Sequence, residues 1–214
     1  MTLNKSITLA ITCCNERSVV EKAIATTKDS KYITNILISD DFSTDGSFEL
    51  ISQLTDTDSR INVVRNSGKP YSLRYNRLTL IHNVSTEYIL FLDGDDYIEN
   101  IDMVIEKCFE LGEWDMCYYP LKVKDEIMCM SVDYVYSKSN EELCHYRNPF
   151  ICKMNIFKGI DDVIIDNDYI SDDQIVLYAL NHSKLVGTLC DDKCYYMYNE
   201  GGKLRHLRKF GLNK

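Results

Sequence analysis

The chain is short of the features that would declare its class directly. Only three prolines are spread over 214 residues, and no Gly/Ser-rich or low-complexity stretch divides them, so residues 1–214 read as one domain of ordinary size. No apolar run is long enough to cross a bilayer. Residues 1–18 lack both a basic n-region and a continuous apolar h-region, so a cytoplasmic location is expected. The nine cysteines contain no C-x-x-C pair, and an odd, scattered set fits reduced, mostly buried thiols. Cys190 and Cys194 with His182 or His206 lack the second cysteine pair that a zinc site of that type uses. Positive charge is scarce as well: 24 Lys and Arg against 33 Asp and Glu leave a formal net charge of −9. That argues against a general nucleic-acid binder, because phosphate backbones are held by clustered cations. Glycine loops of the Walker or dinucleotide type are missing, so a diphosphate bound here would have to be held by side chains and a cation.

What is present collects at strand ends. Tyr88-Ile89-Leu90-Phe91-Leu92-Asp93-Gly94-Asp95-Asp96 runs an apolar strand into a glycine turn that bears three carboxylates. Carboxylates this close repel one another and favour protonation unless a cation shares them, and an oxygen-only, partly hydrated site suits Mg²⁺ or Mn²⁺. Asp-Gly after an apolar run is also an ordinary turn signal, so the segment by itself leaves both readings open.

The rest of the chain supplies a frame. Ser6 to Cys13 reads as a buried strand, followed by Val19, Val20, Ala23 and Ile24 at helical spacing. Ile33 to Ser39 is a second strand, and the polar turn from Asp40 to Ser47 leads into a helix carrying Phe48, Ile51 and Leu54, with Thr44 or Asp45 as its expected cap. Ile61 to Val64 is a third strand. Leu73, Arg77, Leu80, Ile81 and Val84 mark another helix, and Tyr88 to Leu92 is the fourth strand. This β-α-β-α-β-α-β order predicts an α/β fold: a mostly parallel central sheet flanked by helices, with ligands outside the carboxyl ends of the strands. Thr12 to Glu16, Asp40 to Asp45 and Asp93 to Asp96 all fall at such ends, so one crevice is expected to gather them. Beyond Asn100 the pattern loosens. It shows a helix on Ile101, Val104, Ile105, Cys108 and Phe109, an extended Met116 to Leu121, and strand-like alternation to about Tyr136. Next come a helix from Asp173 to Leu180, strands at Leu185 to Leu189 and Cys194 to Tyr198, and a basic tail from Lys203 to Lys214.

Taken in order, three motifs resemble the family 2 glycosyltransferases, which have the Rossmann-like GT-A fold. T-L-A-I-T-C-C-N-E at Thr8 to Glu16 looks like that family's opening strand and turn. I-S-D-D-F-S-T-D-G-S at Ile38 to Ser47 resembles its V-D-D-G-S-T-D-G-T, and E-Y-I-L-F-L-D-G-D-D at Glu87 to Asp96 resembles its E-Y-I-x-F-L-D-A-D-D. The resemblance implies a metal-dependent, inverting transfer of a hexose from a nucleotide diphosphate donor, a UDP-sugar, to a hydroxyl of a glycan or glycoconjugate. Mn²⁺ or Mg²⁺ is the implied cofactor. Residues 1–100 would form the nucleotide-sugar and metal half, and residues 101–214 a small mixed acceptor-binding region and tail, the whole compatible with a place in a longer multidomain chain.

By the same resemblance Asp41 accepts a hydrogen bond from the base, Thr12 and Asn15 line its pocket, and Gly94 lies against the nucleotide. Asp95 is the implied direct metal ligand, and Asp93 holds the metal, a metal-bound water or the ribose. Ser72 to Arg77 matches the family's S-x-A-R-N-x-G imperfectly, so either Arg74 or Arg77 faces the nucleotide. S-D-D-Q-I-V at Ser171 to Val176 resembles E-D-x-x-L, which implies Asp173 as catalytic base at a helix start, with Asp172 in place of the usual Glu.

Competing uses stand beside several of these. Asp45 and Asp173 also suit helix N-termini, where the backbone favours acids. C-Y-Y-M-Y-N at Cys194 to Asn199 resembles the family's Y-Y-Y-R-x-H without its arginine and histidine, which leaves Lys203, Arg205, His206 and Arg208 either to close over a diphosphate or to form a solvated tail. Trp114, Tyr118 and Tyr119 are candidates to stack on an acceptor sugar or to pack a core. Two further functions remain at this level: a non-catalytic nucleotide-sugar-binding module, and a haloacid-dehalogenase-type phosphatase, whose D-x-D also ends an apolar strand but is normally the first strand and continues to a Thr missing here.

Overall fold

The computed structural model describes residues 5–123, 126–128, 150–161, 173–189 and 195–197. At its centre β1 (Ile7–Cys13) is buried along its whole length, as expected of a β-branched run covered on both faces. Its side chains alternate between two apolar clusters. Leu9, Ile11 and Cys13 join Val20, Ala23 and Ile24 of α1 (Val20–Ala25), Ile51 of α2 (Ser47–Leu54) and Val104, Ile105 and Cys108 of α4 (Ile101–Glu110). Ala10 turns the other way, into the cluster of Leu78, Leu80 and Ile81 of α3 (Leu73–Asn83) and Ile175, Val176 and Ala179 of α5 (Asp173–His182). The period-2 alternation of one strand thus recruits helices to both faces of the sheet.

β2 (Ile33–Asp40) and β4 (Tyr88–Asp93) pair in parallel on either side of β1, and β3 (Ile61–Arg65) pairs in parallel outside β2. The chain therefore winds outward through β2 and β3 and then reverses to β4, which makes the carboxyl ends of β1 and β4 a topological switch point. Residues beyond 100 supply three more strands to the same sheet: β6 (Met116–Tyr118), β9 (Phe150–Lys153) and β10 (Val186–Thr188). The order is β10-β6-β9-β4-β1-β2-β3. β9 is antiparallel to both neighbours and is not foreshadowed by any periodicity in the sequence. A second, mixed sheet of four strands takes, in order, β5 (Tyr97–Glu99), β11 (Tyr195–Met197), β7 (Leu121–Val123) and β8 (Glu126–Met128).

Two expectations, for Met116 to Leu121 and for the cap of α2, are corrected, and the choice left open for three aromatics falls to the core. The extended Met116 to Leu121 is two strands in different sheets, broken at Tyr119-Pro120, where proline has no N–H to give to a ladder. Trp114, Tyr118 and Tyr119 are 3%, 2% and 2% exposed. They pack the core, Trp114 against Tyr88 and Phe109 with its Nε1 bonded to the Cys108 carbonyl at 2.7 Å, and none of them faces an acceptor. The cap residue of α2 is Gly46, at φ +88°, although the Asp45 carboxylate does accept from the Ser47 amide at 3.0 Å. Among the described residues no helix is long and apolar enough to cross a membrane.

Candidate active site

Strand register builds the site. Thr12 lies opposite Asp93 of β4 on one side and Ser39 of β2 on the other, and Cys13 lies opposite Asp40. The Gly94 amide donates to the Thr12 carbonyl at 2.8 Å, which carries the ladder one residue past β4, and the Asp96 amide closes the turn onto the Asp93 carbonyl at 3.0 Å. Two donors then converge on one carboxylate oxygen. Thr12 Oγ1 reaches Asp93 Oδ1 at 2.9 Å and Arg77 reaches the same atom at 3.1 Å. Arg77 is 1% exposed and its guanidinium lies 5.8 Å from the centre of the Phe91 ring. Helix α3 therefore holds the first aspartate of the D-x-D turn from inside the protein.

Glu16, which the sequence marks only as the end of a motif, proves to belong to this centre. A side chain at Gly94 would meet Glu16 Oε2 at 2.2 Å and the Thr12 carbonyl oxygen at 2.8 Å, so only glycine lets the acid lie across the turn. Glu16 Oε2 is buried and takes no hydrogen bond from the described residues. Burial above all, with the charges of Asp95 and Asp93 added, pushes the Glu16 carboxyl up to about 9. Three carboxyl groups, Glu16, Asp93 and Asp95, thus lie together at one turn. The donor set is oxygen-only, as Mg²⁺ or Mn²⁺ prefers. No group of three acidic, histidine or cysteine side chains forms a ready cage among the described residues. Such ions are often held by one or two carboxylates with substrate phosphates and water completing the shell, so Asp93, Asp95 and the neighbouring Glu16 fit that mode.

A second group lies at the end of β2. Asp40 is fully buried and ion-paired to Arg65 at 2.9 Å. Asp41 is 3% exposed; its Oδ1 accepts from Asn66 Nδ2 at 2.7 Å and from the Tyr71 amide at 2.8 Å. Among the described residues its Oδ2 takes no hydrogen bond. Asn15 joins the loops after β1 and β2: its Oδ1 accepts from the Thr44 amide at 2.8 Å and its own amide donates to Ser43 Oγ at 2.9 Å. Of the two candidate arginines, Arg77 faces Asp93, whereas Arg74 is 4% exposed with its guanidinium 4.5 Å from the centre of the Tyr75 ring. Neither is the solvated surface arginine that a helix position alone would suggest. Asp173 is the first residue of α5. Ile175 and Val176, two and three residues on, belong to the same apolar cluster as Phe91 of β4. Asp172, Lys203, Arg205, His206, Arg208, Cys190 and Cys194 lie outside the described residues. A separate surface cavity of about 650 Å³, lined by Glu21, Lys28, Leu54 and Ser59 among others, sits by the far ends of α1 and α2 and includes none of these groups.

A doubly covered sheet with acidic turns at its switch point defines a GT-A-type α/β protein. Residues 8–121, more than half of the chain, match the model of glycosyl transferase family 2, and the chain belongs to that family. Comparison with curated proteins gives no match. Among solved structures, residues 1–349 of TarS from S. aureus are similar over 91% of this chain and 60% of that one, at 14% identity and a TM-score of 0.71. That fragment has also been solved with UDP-GlcNAc. The mannosyltransferase PcManGT from Pyrobaculum calidifontis, in complex with GDP-Man and Mn²⁺, is similar over 92% of this chain and 58% of that one, at 11% identity and a TM-score of 0.63. The chain thus spans about three-fifths of the length of the TarS fragment. At these identities the likeness is one of fold.

Proposed function

We propose that this chain is the donor-binding and catalytic part of a metal-dependent, inverting glycosyltransferase that moves a sugar from a UDP-sugar to a hydroxyl of a glycan or glycoconjugate. The observation that carries the reading is the placing, at the carboxyl ends of the two strands that flank β1, of a buried carboxylate with an oxygen to spare, Asp41, and a D-x-D turn braced from within, Asp93 to Asp95. Family membership is in keeping with it, and leaves the phosphatase alternative without support.

Asp41 Oδ2 is the oxygen that would accept a hydrogen bond from the ring N–H of uracil, since Oδ1 already accepts two. Thr12 and Arg77, by fixing Asp93 Oδ1, orient the rest of that carboxylate toward the ribose or toward a metal-bound water. Asp95 is the assigned metal ligand. A divalent cation there would screen the diphosphate from the aspartates and take up charge as the diphosphate departs. Asp173, at the amino end of α5, is assigned as the base: it takes the proton of the acceptor hydroxyl as that oxygen attacks the anomeric carbon from the face opposite the diphosphate, which inverts the configuration. No observation on the described residues favours the non-catalytic binding module over this.

The test is a panel of nucleotide sugars assayed for Mn²⁺-dependent hydrolysis and transfer. Turnover of one UDP-sugar, abolished by chelation, supports the proposal. Metal-dependent UDP binding with no turnover of any donor would favour the binding module instead.

A further inference from the structure

Two aromatic side chains stand where the backbone least accommodates them. Phe42 and Tyr71 each adopt φ of +57°, left-handed backbone that asparagine takes readily, as Asn15 and Asn100 do here, but that a bulky side chain seldom does. Their rings are not in the core. Phe42 is 36% exposed and Tyr71 64%, the two exposed aromatics among the described large hydrophobic residues. Neither makes a ring or cation–π contact with another described residue.

Both flank Asp41. Phe42 follows it in the chain, and the Tyr71 amide donates to its Oδ1 at 2.8 Å. The loop that presents Tyr71 is pinned by buried Asn66, which bonds to Asp41 Oδ1, to the Lys69 carbonyl at 3.1 Å and, through its own oxygen, to the Gly68 amide at 2.9 Å. Tyr71 is thus held in its left-handed conformation by a network rather than by local preference. At Phe42 the motif that Ile38 to Ser47 resembles has glycine, the residue this backbone favours. A phenylalanine there strains the chain, and its exposed ring gains no packing that offsets the strain. Backbone outliers of this kind gather at ligand clamps.

We propose that Phe42 and Tyr71 form an aromatic clamp for the planar base of the nucleotide, stacking on the base whose ring N–H bonds to Asp41 Oδ2. The proposal rests on the reading of Asp41 as the base acceptor. Stacking is tolerant of base identity because every base has a π-face, whereas the hydrogen bond to Asp41 selects the edge. The two groups divide the work: the rings supply affinity and the acid supplies choice.

The experiment titrates UDP and 5,6-dihydro-UDP, each with Mn²⁺, into the parent protein, Phe42→Gly, Tyr71→Gly and the double variant. The dihydro base keeps its N3–H and both carbonyls but is no longer a flat aromatic ring. The parent is expected to favour UDP by about tenfold, the scale of base–aromatic stacking. Each glycine variant should weaken UDP several-fold while leaving the dihydro analogue unchanged, and the double variant should bind the two alike. Glycine suits φ of +57°, so these variants should melt no lower than the parent; asparagine at the same positions serves as a second pair. Equal binding of the two ligands by the parent, or an undiminished preference in the double variant, overturns the clamp. Loss of UDP binding in Asp41→Ala together with unchanged binding in the glycine variants overturns the clamp and spares the base-acceptor reading. No binding of either ligand by the parent overturns both.

Discussion

The two aspartates of the D-x-D turn should differ sharply in what they do for the fold. Asp93 faces a guanidinium that is 1% exposed, at 3.1 Å, and also receives the Thr12 hydroxyl. Removing one partner of a buried ion pair costs about 3–5 kcal/mol because the other charge remains out of water. Arg77 keeps other interactions, so Asp93→Ala should fall near the low end, about 3 kcal/mol. For a chain of 214 residues that corresponds to a fall in melting temperature of about 6–12 °C, at about 2–4 °C per kcal/mol. Removing the arginine instead leaves a carboxylate that is 31% exposed and still bonded to Thr12, so Arg77→Met should cost only about 1–2 kcal/mol. Asp95→Ala loses the contacts of that side chain but also removes a charge that helps push the Glu16 carboxyl up, so the two effects oppose and the net change should stay within about 1 kcal/mol. Urea unfolding of the metal-free proteins, followed by circular dichroism, compares the midpoints directly. The double variant Arg77→Met/Asp93→Ala should recover part of the loss from Asp93→Ala. Equal midpoints for Asp93→Ala and Asp95→Ala would refute the argument that the buried pair with Arg77 gives Asp93 its weight in the fold.

Glu16 gives a pH dependence of opposite sign to that of most carboxylates. Its folded value of about 9 lies above the ordinary 4.5, so the native state keeps a proton that the unfolded chain releases. Stability should therefore fall as pH rises from about 4.5 toward about 9, and Glu16→Gln should flatten that decline in metal-free urea titrations at about pH 6 and about pH 8. Gly94→Ala forces its methyl against Glu16 Oε2 and the Thr12 carbonyl; calorimetry should show Mn²⁺-dependent UDP binding weakened by tenfold or more, about 1.4 kcal/mol, and rescued in part by Glu16→Ala. Asp173→Asn should leave UDP affinity intact and lower transfer by about 10²-fold, with product of inverted configuration from the parent; transfer at the parental rate would remove Asp173 as base.

The first hundred residues were legible because each strand there is an apolar run that ends in a polar turn, and parallel strands buried on both faces announce themselves in that way. The second half was less legible, for identifiable reasons. β9 is four residues, Phe150–Lys153, too short to carry a period, and its place between β4 and β6 is set by pairing partners distant in sequence. β5 starts directly after the acidic turn, so Tyr97–Glu99 looks like part of the turn. Trp114, Tyr118 and Tyr119 carry polar atoms that suit a sugar as well as a core, and only the tertiary packing decides. Within the site, the motifs marked Asp41, Asp93 and Asp95, yet nothing in the pattern singled out a role for Glu16 or Asn66. A glutamate in a loop ordinarily reads as solvated, and an asparagine after a strand reads as a turn; their burial comes from neighbours about 78 and 25 residues away, a distance that residue periodicity does not reach.

The central claim is that the acidic crevice binds a nucleotide diphosphate through a cation and a base contact. Isothermal titration of UDP into the parent protein, Asp95→Ala and Asp41→Ala, each with Mn²⁺ and again with EDTA, tests both at once. The predicted result is binding by the parent with Mn²⁺ and none with EDTA, none by Asp95→Ala under either condition, and binding by Asp41→Ala weakened by about 10- to 150-fold, the loss of about 1.5–3 kcal/mol for a hydrogen bond to a charged group. Binding of UDP by the parent that is indifferent to EDTA, or undiminished Mn²⁺-dependent binding by Asp95→Ala and Asp41→Ala, would contradict it.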